Sequence, residues 1–387
     1  MPHSPIGLGK SLVLIGGALP PQMVARHSRV SAAAAKWQTT FAEAIASGFD
    51  CSVVCLSYLP LDVSGIHEPP LRGGNGVETI PIPRTRGTKG TVSYAWTMLR
   101  EIVRLRHRTD VIACYNPLIW TMPWAYLLKM LTGAPIFLIV ADVDCGGVGP
   151  RARVRLSIQR LLLGVTRQYL VLSPRTAELL PLGAAVQVFG GLADPVALSG
   201  RPVDYSARLR FVYAGALTEA NGFGDFVTAA RLLVAEGRSC EFHVFGRGTP
   251  QAPYSDLPPD RFCHHGFVSD DELDSFLAEG CIGVNPRRPL HPENLYNAPF
   301  KLLFFLSRGM LTITTKSDGV PDDLAHFCVV CDSGSEGIAA ACRSVLEMES
   351  GELTRLALAG REGVQVLRSV DELCRRVGSL LSGATVR

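Results

Sequence analysis

Strand-like and helix-like segments alternate along this chain from end to end, and that order points to parallel α/β layers. The apolar run Ser11–Gly17 reads as a buried strand, and a helix follows over about 29–47. Trp37, Phe41 and Ile45 recur every four residues and give that helix one apolar face, with Gly48 suited to its C-terminal stop. Strand 51–57 comes next, and the Pro-, Gly- and Arg-rich stretch 60–90 reads as a loop region with one short strand. A basic helix is predicted over about 94–106, a strand at 111–115, a helix at 124–132 and an apolar strand at 136–141. The half closes with a helix at 151–168 and a strand at 169–172. After the loop 190–205, which holds Pro195 and Pro202, the alternation starts afresh with strand 209–214. It continues as helix 223–236, strand 241–245, the capping box Ser269-Asp-Asp-Glu272, strand 282–284, a helix ending near Arg308-Gly309 and strand 311–315. Helices over about 336–348 and 352–381 end the chain. The 387 residues therefore divide into domains 1–205 and 206–370, with a C-terminal helix in 371–387 expected to pack back on the first. Both domains are expected to be doubly wound α/β and to face one another across a cleft.

Composition excludes several classes of protein. At 47 % hydrophobic and 19 % charged residues the chain can bury large cores and is not a disordered sequence. No run reaches 18 apolar residues, which removes a spanning helix, and Met1–Lys10 lacks the order of a signal peptide. Eleven cysteines without a framework suit reduced thiols and a cytoplasmic location. The single CxxC, Cys328–Cys331, lies in an apolar β-like run with no second pair, so no metal site is expected. The net charge of +3 hides an asymmetry, because residues 1–200 carry 19 Lys and Arg against 11 Asp and Glu, and residues 201–387 carry 19 against 24. In the basic half, Arg100, Arg104 and Arg108 fall four apart on one helix, and Arg151, Arg153, Arg155 and Arg160 share another with Leu156, Leu161, Leu162 and Leu163. Basic amphipathic helices attract anionic headgroups, at about 1 kcal/mol per cation, so contact with the inner face of a membrane is expected. The bland alternative is a solvated Arg face. Nucleic acid is not expected as a partner, since no aromatic-interleaved basic patch or zinc spacing accompanies the arginines.

Three glycine turns fall at strand C-terminal ends: Gly16-Gly17, Gly215 and Gly246-Arg247-Gly248. Glycine there lets a phosphate or sugar approach the backbone, although plain strand-to-helix turns read the same way. None is a GxGxxG or a GxxxxGK[ST], which leaves nicotinamide and P-loop chemistry without a fingerprint. The densest chemistry lies in Asn285–Lys301, where Arg287, Arg288, His291, Glu293 and Lys301 share a proline-stiffened loop. Clustered Arg and Lys suit a diphosphate, and Pro299 can open a helix toward the same anion. A solvated basic loop paired with nearby acids is the competing reading.

At this stretch the sequence resembles the GT-B glycosyltransferases, specifically the retaining family-four type. The likeness runs through Tyr213-Ala-Gly-Ala-Leu, Phe223-x-x-Phe-x-x-Ala-Ala, His243-Val-Phe-Gly-Arg-Gly, His265-Gly-Phe-Val268, Asn285-Pro-Arg and Tyr296-Asn297-x-Pro-x-Lys301-Leu, on to Gly309, Thr312-Ile-Thr-Thr and Gly319-Val-Pro. In the first half Val30-Ser-Ala-Ala, Tyr115-Asn-Pro, Val140-Ala-Asp142 and Gly190-Gly191 are similar more loosely to the acceptor domains of bacterial polysaccharide members.

The resemblance implies two Rossmann-like domains, and a sugar passed with retention from a nucleotide-diphosphate sugar to a glycan, lipid-linked or natural-product acceptor. No cofactor or metal is implied, since the nucleotide sugar is a co-substrate. The family's ribose-binding glutamate falls on Phe304, and the first of its two glutamates falls on Tyr296, with Glu293 as a substitute. The family's basic pair falls on Ala216 and Asn221, so the diphosphate passes to Arg247, Arg287, Arg288 and Lys301, with Arg287 and Lys301 favoured. Gly16, Gly17, Gly215, Gly246, Val268, Arg288, Tyr296, Asn297 and Phe304 complete the expected donor site. Tyr115, Asn116 and Asp144 are assigned to the acceptor. Asp142 either orients acceptor hydroxyls or caps a turn. Two other readings remain: a silent homologue that binds a partner or membrane, and a sugar-nucleotide epimerase using Asp142, Asp144 and Glu293 as its carboxylates.

Overall fold

Two parallel sheets organise the chain. The structure is a computed structural model that describes residues 11–26, 31–59, 70–72, 76–143, 150–194, 197, 203–248 and 253–382. Asp144, Val30, Pro195 and Pro202 lie outside the described residues. In the first sheet the strands are β1 (Ser11–Gly16), β2 (Ser52–Tyr58), β3 (Leu71–Arg72), β4 (Val77–Ile82), β5 (Val111–Tyr115), β6 (Ile136–Val140), β7 (Gln168–Val171) and β8 (Ala185–Val188). Their spatial order is β3-β4-β2-β1-β5-β6-β7-β8, parallel except for the short β3–β4 pair. The second sheet holds β9 (Arg210–Ala214), β10 (Glu241–Phe245), β11 (Phe262–Gly266), β12 (Cys281–Asn285), β13 (Thr312–Thr315) and β14 (Val329–Cys331), ordered β11-β10-β9-β12-β13-β14.

Strands buried on both faces read as unbroken apolar runs, and β5, β6 and β12 are buried at every residue. Strand order reverses between β1 and β5 in the first sheet and between β9 and β12 in the second. Ligands in such sheets bind beyond the strand C-termini at these reversals. Gly16 and Tyr115 mark one reversal, and Gly215 and Asn285 the other.

Compact units divide at residue 192 rather than near 205: one comprises Met1–Leu172, Thr176–Leu192 and Val370–Arg387, and the other Ser173–Arg175 and Ala193–Ser369. The long C-terminal helix read from the sequence is broken at Arg368 into Ser350–Leu367 and Val370–Ser382. Arg368 is buried, and its guanidinium holds Asp323 at 2.6 Å. Helix Val370–Ser382 packs on helix Ala32–Phe49, and Gln168 donates to the Leu380 carbonyl at 2.6 Å.

That packing explains one departure from the sequence reading. Gly48 does not stop its helix; Asp50, at φ 50°, does. A Cβ on Gly48 would lie 2.3 Å from Cys374 Sγ, so the glycine makes room for the C-terminal helix. Strands β8 and β11 and helix Pro21–Arg26 had no counterpart in the sequence reading. Each is short, and its pattern is weak without its neighbours.

Candidate functional site

At the β9–β12 reversal the second unit gathers glycine, a buried cation and free strand ends. Gly215 continues from β9 at φ 135°, and Gly246 from β10 at φ 152°, both outside the range of ordinary side chains. A Cβ on Gly246 would strike the Gly215 carbonyl, and one on Gly215 would lie 2.6 Å from Lys301 Cε. The missing Cβ is thus what lets the Lys301 stem pass against the end of β9. Lys301 sits in the first turn of helix Phe300–Ser307, which Pro299 opens as the sequence suggested. Its Nζ is buried, has no hydrogen-bond partner and lies 4.2 Å from the Tyr213 ring centroid. Burial, helped by the nearby Arg287 charge, lowers its pKa from 10.5 to about 7. A buried ammonium without an anion is an uncompensated cost, and a diphosphate would remove it.

Arg287 follows β12 and is aimed by Asn294, whose Oδ1 accepts from its Nε, and by the Asn297 carbonyl at 3.1 Å. Asn294 is 3 % exposed and also donates to the carbonyls of Ala220 and Arg288, at 2.6 and 2.7 Å. It therefore ties the cationic loop to the β9 loop. Sequence reasoning missed it, and its only signal was an asparagine in a loop of otherwise charged and proline residues. Asn285, at the end of β12, donates to Thr314 Oγ1 at 3.0 Å and leaves a buried Oδ1 without a partner.

Arg288 does not join Lys301. Its guanidinium is paired with Asp225 at 2.7 Å and Glu219 at 2.6 Å, which pins the loop to helix Phe223–Ala235. Arg247 lies over the Phe267 ring at 3.9 Å. Glu293 is exposed on the turn Pro292–Asn294, and Asn297 donates to its carbonyl at 2.7 Å. Tyr296 takes the Arg175 guanidinium over its ring at 5.9 Å, and Val268 packs against the second unit's core. Phe304 is partly buried on that core, with the Arg308 guanidinium 3.8 Å above its ring. Asp274 holds Arg308 through two oxygens, at 2.6 and 3.2 Å. An aromatic ring clamped by a cation has replaced the expected carboxylate, and the Arg308–Asp274 clamp was not foreseen.

At the β1–β5 reversal of the first unit the expected residues come together differently. A Cβ on Gly16 would lie 3.0 Å from Tyr115 Cβ and closer still to Gln38 Oε1. The Gly17 N–H donates to that same Gln38 oxygen at 2.7 Å. The Gly16-Gly17 turn therefore receives a side chain of its own unit where the sequence had suggested a donor phosphate. Asn116, at φ 57°, accepts at Oδ1 from the N–H groups of Ala141 and Asp142, at 2.8 and 3.1 Å. It thereby shapes the turn that carries Asp142. Tyr115 is buried with no partner for its hydroxyl, and burial with the Asp142 charge pushes its pKa well above 10. The hydroxyl stays neutral, a donor and an acceptor at once.

Among the described residues no helix is long and apolar enough to cross a membrane. Arg100 and Arg104 of the basic helix pair with the buried Glu101, at 3.0 and 2.7 Å. The Cys328 and Cys331 thiols are raised to about 12 and about 11 by burial. Both are free thiols, as are the other described cysteines.

Comparison with known proteins agrees with this fold. Residues 31–186 match the glycosyl transferase 4-like domain and residues 208–348 the glycosyl transferases group 1 domain. The amylovoran biosynthesis glycosyltransferase AmsK of Erwinia amylovora is 25 % identical over 165 residues, 41 % of this chain and 40 % of its own length. This chain thus aligns with well under half of that relative. An α,α-trehalose-phosphate synthase from Burkholderia xenovorans, solved with glucose-6-phosphate, has a TM-score of 0.67 at 11 % identity over 97 % of this chain and all of its own. A glycosyltransferase from Rickettsia africae has a TM-score of 0.61 at 11 % identity, covering 98 % of this chain and 99 % of its own. With two doubly wound parallel sheets, both domain matches and these neighbours in agreement, the chain belongs to the GT-B glycosyltransferases.

Proposed function

We propose that the protein transfers a sugar, with retention, from a nucleotide-diphosphate sugar to a glycan, lipid-linked or natural-product acceptor. One observation carries this reading: the Lys301 ammonium is buried, unpaired and set against Gly215 at the strand reversal, beside Arg287. In the proposed step the bond from the anomeric carbon to the phosphate oxygen breaks, and its electron pair leaves with the diphosphate. The acceptor oxygen bonds the anomeric carbon on the same face and gives its proton to a leaving phosphate oxygen. Lys301 and Arg287 neutralise the charge that develops, which is the largest contribution such a site makes. No strong base is required, and no divalent ion is needed at the diphosphate. The remaining donor contacts are assigned to Gly215, Gly246, Arg247, Val268, Tyr296, Asn297 and Phe304. Glu293 is the carboxylate nearest in sequence for sugar hydroxyls. On the acceptor side we assign Tyr115 and Asn116, with Asp142 to orient a hydroxyl. The comparisons favour neither a silent homologue nor an epimerase.

A panel of nucleotide sugars tests this reading, with calorimetry for binding and donor hydrolysis for turnover. Saturable binding and turnover unchanged by omitting Mg2+ and Mn2+ are expected. Absence of binding to any nucleotide or nucleotide sugar at millimolar ligand sinks the proposal.

An acceptor carried on lipid fits a further feature of the first unit. Val92, Trp96, Leu99 and Val103 form an exposed apolar stripe along helix Gly87–Leu105, and Tyr126, Met130 and Leu131 are exposed on the neighbouring helix Met122–Thr132. Bordered by Arg86, Lys89, Arg100, Arg104 and Arg106, the stripe suits an anionic leaflet at the cytoplasmic face of a membrane.

A further inference from the structure

The second sheet carries a cluster of side chains outside the proposed transfer site. His243 stands on β10, and Cys263 is its direct partner in the register with the edge strand β11. His265 follows two residues after Cys263, so the alternation of a strand returns it to that neighbourhood. Between Val244 and Phe245 the register shifts by one, which makes His265 the extra residue of β11. As a result its ring turns toward His243: His243 Nδ1 and His265 Nε2 lie 3.0 Å apart. Cys263 Sγ lies 4.0 Å from His265 Nδ1. One ligand atom from each of the three residues falls within 4.8 Å of the others. Intervening His264 is engaged elsewhere, with its Nδ1 2.7 Å from the Tyr254 hydroxyl.

We infer that His243, Cys263 and His265 form a binding site for a single borderline-soft divalent cation of the Zn2+ type, holding edge strand β11 to β10. Imidazole and thiolate are the donor types such an ion selects, and three protein ligands leave a fourth position for water. Tetrahedral bonds of 2.0–2.1 Å separate two nitrogen ligands by about 3.3 Å, so the two rings need move apart by only a few tenths of an ångström. Behind His243 the site is already arranged. Glu241 accepts at Oε2 from His243 Nε2 at 3.1 Å, which fixes the tautomer with the Nδ1 lone pair facing the cluster. Arg208 in turn holds Glu241 at 3.1 Å. Phe245 stacks on His265 with centroids 4.4 Å apart, and Phe276 lies 4.7 Å from the His243 ring. These rings form a dry wall on one side, and the exposed His265 leaves a path of entry on the other. Binding converts the Cys263 thiol to a thiolate, releasing its proton to solvent. No paired cysteine spacing announces this site in the sequence, because its ligands come from two strands joined only by the fold.

The test is optical and independent of nucleotide. Chelator-treated full-length protein is titrated with Co2+ alone and then with Zn2+. One equivalent of Co2+ is expected to produce the visible absorption of a tetrahedral site and a thiolate charge-transfer band, both abolished by one equivalent of Zn2+. Cys263→Ser is expected to remove the charge-transfer band, and His265→Ala to weaken binding at least tenfold. Glu241→Gln is expected to weaken it about 10- to 100-fold through His243 alone. Cys331→Ser, outside the cluster, should leave the spectrum unchanged, and circular dichroism checks that each variant is folded. A wild-type chain without a saturable Co2+ spectrum overturns the inference. So does a spectrum that survives both Cys263→Ser and His265→Ala, which would mark binding elsewhere, and would leave the two histidines as a neutral hydrogen-bonded pair.

Discussion

Under the proposed reading, stability and function pull apart at Lys301. Its ammonium is buried without a partner, and its pKa falls from 10.5 to about 7. Replacing it by Met keeps the unbranched stem beside Gly215 and removes the charge. Replacing buried ionic groups by apolar ones stabilises by about 1–4 kcal/mol, so Lys301→Met is expected to raise the denaturation midpoint. Transfer should meanwhile slow by about 10²–10³-fold, the effect of deleting one charge-stabilising donor. The sign of the pH dependence follows from the depressed pKa. Below pH 7 both folded and unfolded chains carry the proton, and the full penalty of burial is present. Between about 7 and 10.5 only the unfolded chain holds it, so this residue's contribution to stability rises with pH. The gap between wild type and Lys301→Met should therefore narrow in chemical denaturation from pH 7 to pH 10. A second consequence concerns the donor. A bound diphosphate favours the ammonium, so at pH 8 nucleoside diphosphate should bind with uptake of up to about one proton, and at pH 6 with almost none. Calorimetry in buffers of different ionisation enthalpy measures this, and equal uptake at both pH values would count against Lys301 as the phosphate ligand.

At the scale of elements, neighbours decide what local signals leave open. The stripe Trp37, Phe41, Ile45 is buried as its spacing predicted, and the capping box Ser269–Glu272 is complete, because both depend only on residues within one helix. Gly48 shows the opposite case. Its place suits a helix terminator, yet its missing side chain admits Cys374 from a helix over 300 residues away in sequence. Gly48→Leu should overpack that contact and lower stability by about 1–3 kcal/mol, read as a lower thermal midpoint. An unchanged midpoint would mean the C-terminal helix yields without cost. The cationic loop combines both cases: its charges are visible in the sequence, but their partition is not. Arg288 is held by Asp225 and Glu219, and Arg287 by Asn294. Those partners lie up to 69 residues apart along the chain.

At the scale of the molecule, the charge asymmetry accompanies the two units, although the boundary at 192 and the return of helix Val370–Ser382 to the first unit redraw it. The first unit holds the exposed stripe Val92–Val103 among its arginines, although Arg100 and Arg104 spend part of their charge on Glu101. Sedimentation with vesicles containing anionic lipid is expected to bring the protein down, and Trp96→Glu to reduce the bound fraction several-fold. Equal sedimentation with neutral vesicles would remove the electrostatic part of this reading.

The sequence by itself determined the fold class, most elements and the place of the cationic loop Arg287–Lys301 after β12. Alternation, apolar periodicity, caps and motif order are properties of contiguous residues, and contiguous residues are what a sequence displays. Only the tertiary structure decided that Lys301 Nζ is buried without a hydrogen-bond partner, why Gly16-Gly17 is filled by Gln38, and how His243, Cys263 and His265 meet. Each of those outcomes is a competition between groups far apart in the chain for the same few ångströms, and only the folded backbone sets those distances.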